Sequence, residues 1–155
     1  MSFRIEVGHN EIGDADEYEE YLPPDLAEAF ETLSFPRPDA LRVMKLQYQI
    51  AQKLHAVSEP GSERAHDLID LQLIVQHSTL DFAEVRKTCV RLFDYRRKHA
   101  WAPKIVIGDG WRKTYEDAYA TIADASSVLP SVDDAVAWTN ELVSKIDEIG
   151  KEARG

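Results

Sequence analysis

Asp67 and Asp70 stand three residues apart in the segment Arg64-Ala-His-Asp67-Leu-Ile-Asp70-Leu, on a predicted helix that is otherwise strongly apolar. Side chains three apart emerge from neighbouring points on one helix face, and Arg64, three before Asp67, shares that side. Lys53 and His55 lie on the preceding predicted helix, and His66 falls inside the segment. Two readings of this cluster are open. One is structural: the positive end of a helix favours Asp67, and a salt bridge to Lys53 or Arg64 would offset the cost of Asp70 among apolar neighbours. The other is a site in which the same groups act on a bound ligand. His55 and His66, taken singly, fit packing roles.

A second charged feature is Arg86, Lys87, Arg91, Arg96, Arg97, Lys98 and Lys104, set against only Asp81, Glu84 and Asp94 in the same stretch. It reads either as a basic strip facing phosphates or as a solvated helix face. The net charge of −10 argues against non-specific nucleic-acid binding by the molecule as a whole. Other chemistries lack their residues. There is no Cys pair and no His-x-x-x-His for zinc, no Gly-rich phosphate loop and no Gly-x-Ser-x-Gly elbow. The single cysteine, Cys89, falls on the apolar face of a predicted helix and reads as core.

The elements that must position these residues follow from periodicity. Phe3-Arg-Ile-Glu-Val7 alternates like a strand, and Leu41-Arg-Val-Met44 is its best internal partner. Between them come an acidic loop, Glu11 to Glu20, and a short helix near Asp25 to Leu33 that Pro36 and Pro38 end. Leu46, Ile50, Leu54 and Val57 make a helical stripe, which Pro60-Gly61 breaks. Ser62 is the expected N-cap of the next helix, whose apolar residues from Leu68 to Val75 run almost all round and predict burial on most sides. Asp81 with Glu84 resembles a capping box, and Phe82, Val85, Cys89, Leu92 and Phe93 form the buried stripe behind it. Ile105-Val-Ile107 is a short strand or an apolar plug. Trp111, Tyr115, Ala118, Tyr119 and Ile122 mark another helix, and Ser131 with Asp134 opens the last one. The expected architecture is mainly α and a single domain, 1–155. Residues 1–44 form a small β element with the acidic loop and short helix, and 45–155 form a bundle of about five helices. No apolar run is long enough to cross a bilayer, and the first residues lack the pattern of a signal peptide. A cytoplasmic protein is expected.

Gln49-Ile-Ala-Gln-Lys53-Leu-His-Ala56, followed by Arg64-Ala-His-Asp67-Leu-Ile-Asp70-Leu, resembles the C-terminal part of the AbiEii/AbiGii toxin family. These are nucleotidyltransferases with a polymerase-beta-like core, the toxin half of bacterial type IV toxin–antitoxin systems. The resemblance runs from the Phe3 strand to the Trp111-x-x-x-Tyr115 helix. It implies catalytic positions for Lys53, Asp67 and Asp70, with Lys53, Arg64 and His66 binding the nucleotide. A lysine can neutralise triphosphate charge, and a nearby carboxylate can orient it or act as a base.

The family's N-terminal half carries a Gly-Ser strand-turn-helix and an Asp-x-Asp pair that binds Mg²⁺. Here Gly61-Ser62 falls between two later helices and Asp14-Ala-Asp16 in the acidic loop, so neither has that context. Glu6 is the remaining candidate for the family's third carboxylate. Phosphoryl transfer depends on metal ions bridging the phosphates. The chain is therefore expected to carry no metal pair and to be inactive alone, with Mg²⁺ and a nucleoside triphosphate entering only if a partner completes the site. Three readings follow. The chain is a truncated remnant or mis-started product; or it is half of a split nucleotidyltransferase, its N-terminal strand edge pairing with a partner chain or a second copy in a homodimer; or it is a binding module that contacts RNA or tRNA through Arg86, Arg91, Arg96, Arg97 and Lys98.

Overall fold

The computed structural model describes residues 10–14 and 16–152. The strand expected at Phe3–Val7, and Glu6 with it, lies outside the described residues. The chain divides into two compact units, Met1–Lys45 and Leu46–Gly155.

In the first unit, β1 (Tyr18–Tyr21) and β2 (Leu41–Met44) pair antiparallel around α1 (Pro24–Thr32). The second strand is the one the sequence predicts. The correction concerns the acidic stretch read as loop: its end, from Tyr18, forms the strand that pairs with β2. The segment Tyr-Glu-Glu-Tyr has no alternating pattern, and all four residues are exposed, so no buried face marks it. Cross-strand pairing explains it instead. Glu20 stands opposite Arg42 and Tyr21 opposite Leu41, while the Arg42 guanidinium lies 4.5 Å from the Tyr18 ring centre. Pro24 opens α1, where its missing N–H costs nothing, and Asp25 complements the helix dipole. The helix ends at Thr32, and Ser34 turns the chain with a positive φ of 57°.

The second unit is a bundle of α2 (Leu46–Ser58), α3 (Asp67–His77), α4 (Phe82–Arg96), α5 (Trp111–Tyr119) and α6 (Val132–Glu152). With α1 this makes the mainly helical fold that the periodicity implies. Ile50, Leu54, Leu68, Leu71, Leu92, Phe93, Trp111, Tyr115 and Ile146 fill its core. Cys89 is among the buried residues, and burial pushes its thiol up, as befits a packing residue. Asp67, Leu68, Ile69, Leu71 and Gln72 in the first turns of α3 are buried, whereas Asp70, Leu73, Ile74 and Val75 are only half-buried. No helix among the described residues is long and apolar enough to cross a membrane.

The capping signals divide. Asp81 accepts N–H bonds from Ala83 and Glu84, and Ser131 accepts from Asp133 and Asp134, as expected. Ser62 is not the cap of α3. Its hydroxyl accepts from the Arg64 N–H, and a turn follows, in which the N–H groups of Asp67 and Leu68 reach back to Arg64 and Ala65. The helix proper begins only at Asp67. Likewise α5 stops at Tyr119, short of Ile122.

Residues 105–107 are a plug rather than a strand. Ile105 is buried, Val106 is exposed, and the Asn140 side chain on α6 takes the place of a strand partner. Its Oδ1 accepts from Ile105 N–H at 2.8 Å, and its Nδ2 donates to Ile105 C=O at 3.0 Å.

Buried Gln72 does the same for the linker before α6. Its Oε1 accepts from the Leu129 N–H at 2.8 Å, and its Nε2 donates to Leu68 C=O and to the Tyr115 hydroxyl, which donates on to Leu129 C=O. Gln72→Leu keeps the volume but strands the Leu129 N–H. We expect a loss of about 1–3 kcal/mol in urea unfolding; a change below about 0.5 kcal/mol would show that the linker is held by something else.

Candidate functional site

The site is built on a polar stripe along α2. Gln49, Gln52, Lys53 and Ala56 are spaced by three and four, so they share one face while Ile50, Leu54 and Val57 turn into the core. Opposite the stripe stands the N-terminus of α3 with the turn before it. Lys53 Nζ donates to Asp67 Oδ1 at 3.1 Å and to Asp70 Oδ2 at 2.6 Å. Arg64 Nε donates to Asp67 Oδ2 at 2.8 Å, and its Nη2 reaches Oδ1 at 3.3 Å. The structure therefore brings together four of the residues singled out in the sequence: Lys53, Arg64, Asp67 and Asp70. His66 stands at the rim, half exposed, its Nε2 3.8 Å from Asp67 and too far for a hydrogen bond.

The two aspartates are not equivalent. The Asp67 side chain is fully buried, whereas that of Asp70 is 44% exposed. Both oxygens of Asp67 are taken by cations, so it positions Lys53 and Arg64. Asp70 keeps a face toward solvent. Burial alone would pull the Lys53 ammonium down, but the hydrogen bond to Asp70 and the charge of Asp67 outweigh it, and its pKa ends above that of an ordinary lysine. Lys53 is thus a fixed cation and not a base.

Beside this cluster lies a pocket of about 390 Å³, lined by Gln49, Gln52, Lys53, Ala56, Arg64 and Arg96. Neither aspartate lines it. Its wall is cationic and amide-bearing, and Ala56 is the one small residue that leaves room. Such a wall suits an anion with several oxygens, above all a phosphate chain.

Mg²⁺ is held through carboxylate oxygens, and none of the lining residues is a carboxylate; Asp67 is engaged by cations through both oxygens and Asp70 through one. Among the described residues no group of three or more His, Cys, Asp or Glu side chains is placed to hold a metal ion. Asp14 and Asp16 serve a turn: Asp14 accepts the Glu11 N–H, and Asp16 accepts from the Asn10 amide.

The basic strip does not form as one surface. Arg86, Arg91 and Arg96 are each five residues apart, which on a helix of 3.6 residues per turn sets successive side chains about 140° apart. Arg86 turns inward to Asp147 at 3.0 Å, with its side chain only 11% exposed. Lys98 pairs with Glu59 at 3.6 Å, and Arg97 forms the left-handed cap of α4. Arg96 goes to the pocket. Nothing local in the sequence joins Arg96 to Lys53, because it is the packing of α2 on α4 that brings both to one pocket. Gln49 and Gln52 were visible as a polar stripe at helical spacing.

Asp67→Ala is expected to cost about 3 kcal/mol in urea unfolding, at the low end for a broken buried pair, because Lys53 keeps Asp70 and Arg64 can turn to water. Asp70→Ala should cost under about 1 kcal/mol; equal losses would refute the asymmetry. Because the folded pKa of Lys53 is raised, its contribution is whole below about pH 10.4 and fades as pH climbs through the higher folded value. Lys53→Met should therefore lose less stability than the wild type between neutral and strongly alkaline pH.

Residues 1–138 match the model of the family described as nucleotidyl transferase AbiEii toxin, type IV TA system. No curated protein matches the chain.

Proposed function

The chain belongs to the AbiEii nucleotidyltransferase toxin family of type IV toxin–antitoxin systems, and from that premise we propose that it supplies the phosphate-holding wall of a nucleotide site and is inactive alone. The observation that carries this is Lys53, held as a cation by Asp67 and Asp70 at the edge of a pocket that Arg64 also lines. In this reading Lys53 and Arg64 neutralise a nucleoside triphosphate. Asp67 keeps both cations aimed, and Asp70, partly exposed, is the carboxylate able to meet substrate. His66 closes the rim.

The metal-holding wall comes from another polypeptide segment. A nucleotidyltransferase supplies a pair of carboxylates for the metal ions that bridge the phosphates, and the donor set beside Lys53 is the wrong kind. The partner could add through the sheet. Tyr21 and Leu41 of the two-stranded sheet are exposed, which suits strand addition at its edge. Membership in a toxin–antitoxin family also implies an antitoxin partner. The alternative, an RNA- or tRNA-contacting module, has less behind it, since Arg86 and Lys98 are engaged in ion pairs and the arginines of α4 point to different faces.

Calorimetry with ATP, GTP, CTP and UTP in the presence of Mg²⁺ tests the reading. We expect binding of at least one nucleotide that weakens at least about tenfold in Lys53→Ala, the size of a lost hydrogen bond to a charged group. No binding by the wild type would sink it. Transfer of labelled nucleotide to tRNA by the chain alone would overturn the inactive reading and leave the pocket standing.

A further inference from the structure

We infer that Arg96 is a phosphate-contacting residue of the Lys53 pocket, and that buried His55 is the residue that positions it. The inference rests on the triphosphate reading of the pocket and adds to it a third cation and the device that aims it.

Arg96 is the last residue of α4, and its side chain lines the pocket. Its Nη1 lies 3.2 Å from His55 Nδ1. A guanidinium has donors only and does not give up its proton at any ordinary pH. Nδ1 must therefore be the acceptor, which makes His55 a neutral ring with its proton on Nε2. The ring is held on its other sides as well. His55 is completely buried, with the Phe93 ring edge-on at 4.8 Å and the His99 ring at 4.6 Å. His99 is itself tied to the Ser58 hydroxyl at 2.7 Å, and burial keeps it below the usual histidine range against the opposing pull of Glu59.

The backbone end of the arginine is equally fixed. Arg97 takes a left-handed φ of 53°, and its N–H bonds Phe93 C=O at 3.0 Å, which closes the helix one residue after Arg96. A cation suits the negative end of a helix. The planar guanidinium fork is the geometry that grips phosphate oxygens in pairs. α2 thus serves the pocket twice. Lys53 enters it directly from the polar stripe, and His55, two residues on and facing α4, aims Arg96 into it.

Inorganic triphosphate titrated calorimetrically into the full chain at fixed ionic strength tests this, with circular dichroism melts to check folding. We expect Arg96→Ala and His55→Leu each to weaken binding about tenfold. The double variant should bind no worse than Arg96→Ala, because the two residues act as one unit. His55→Asn, whose Oδ1 falls near the place of Nδ1, should restore binding to within about twofold of the wild type, which a purely packing role for the ring would not do. Binding that is lost in Lys53→Ala yet unchanged in a folded His55→Leu overturns the inference and leaves the pocket intact. Unchanged binding in Arg96→Ala, or losses that add in the double variant, overturn it too. If the wild type fails to bind triphosphate, the pocket reading and this inference fall together.

Discussion

A buried carboxylate between two cations sets the arrangement of the candidate site. Asp67 has no solvent contact, and an ionised carboxylate in that position is costly unless every oxygen is engaged. Lys53 from α2 and Arg64 from the entry turn engage both. That requirement holds α2 and the start of α3 at one spacing. It also fixes where two positive groups face outward, so the same ion cluster that anchors the helices makes one side of the pocket cationic. The structural and the chemical reading of the two aspartates are therefore compatible. Asp67 answers mainly to the first and Asp70, half exposed, is open to the second.

The rest of the helical unit keeps that arrangement rigid through single side chains that bond across elements, to backbone or to other side chains. Asn140 holds Ile105, Gln72 holds Leu129, and Asp147 accepts from both Arg86 and the Trp101 indole. Each satisfies buried or half-buried polar groups that irregular chain would otherwise leave without partners. The connections can thus be long and non-repetitive while α4, α5 and α6 stay in register around α2 and α3.

The pocket's named charged groups are three cations and, behind them, Asp67, spent on those cations through both oxygens, and Asp70, bound to Lys53 through one. Such a surface has the chemistry to bind phosphates, and the proposed reading adds to it a second wall of carboxylates for the metal ions that bridge them.

What the sequence determined by itself was local. The α2, α4 and α6 stripes, the Asp81 and Ser131 caps, the Leu41–Met44 strand and the shared face of Arg64, Asp67 and Asp70 all follow from spacing within a few residues, because helix and strand geometry repeats at that range. Tertiary structure decided the rest. Tyr18–Tyr21 is a strand because a partner lies beside it, although its own residues carry no pattern. Ser62 loses the cap because a turn intervenes. Arg86 and Arg96, one run of basic residues in the chain, are sent to an ion pair and to a pocket by the helices that pack against α4. Which of two nearby aspartates is buried, and which distant arginine shares a pocket with Lys53, depends on packing between elements, and no spacing along a single element records that.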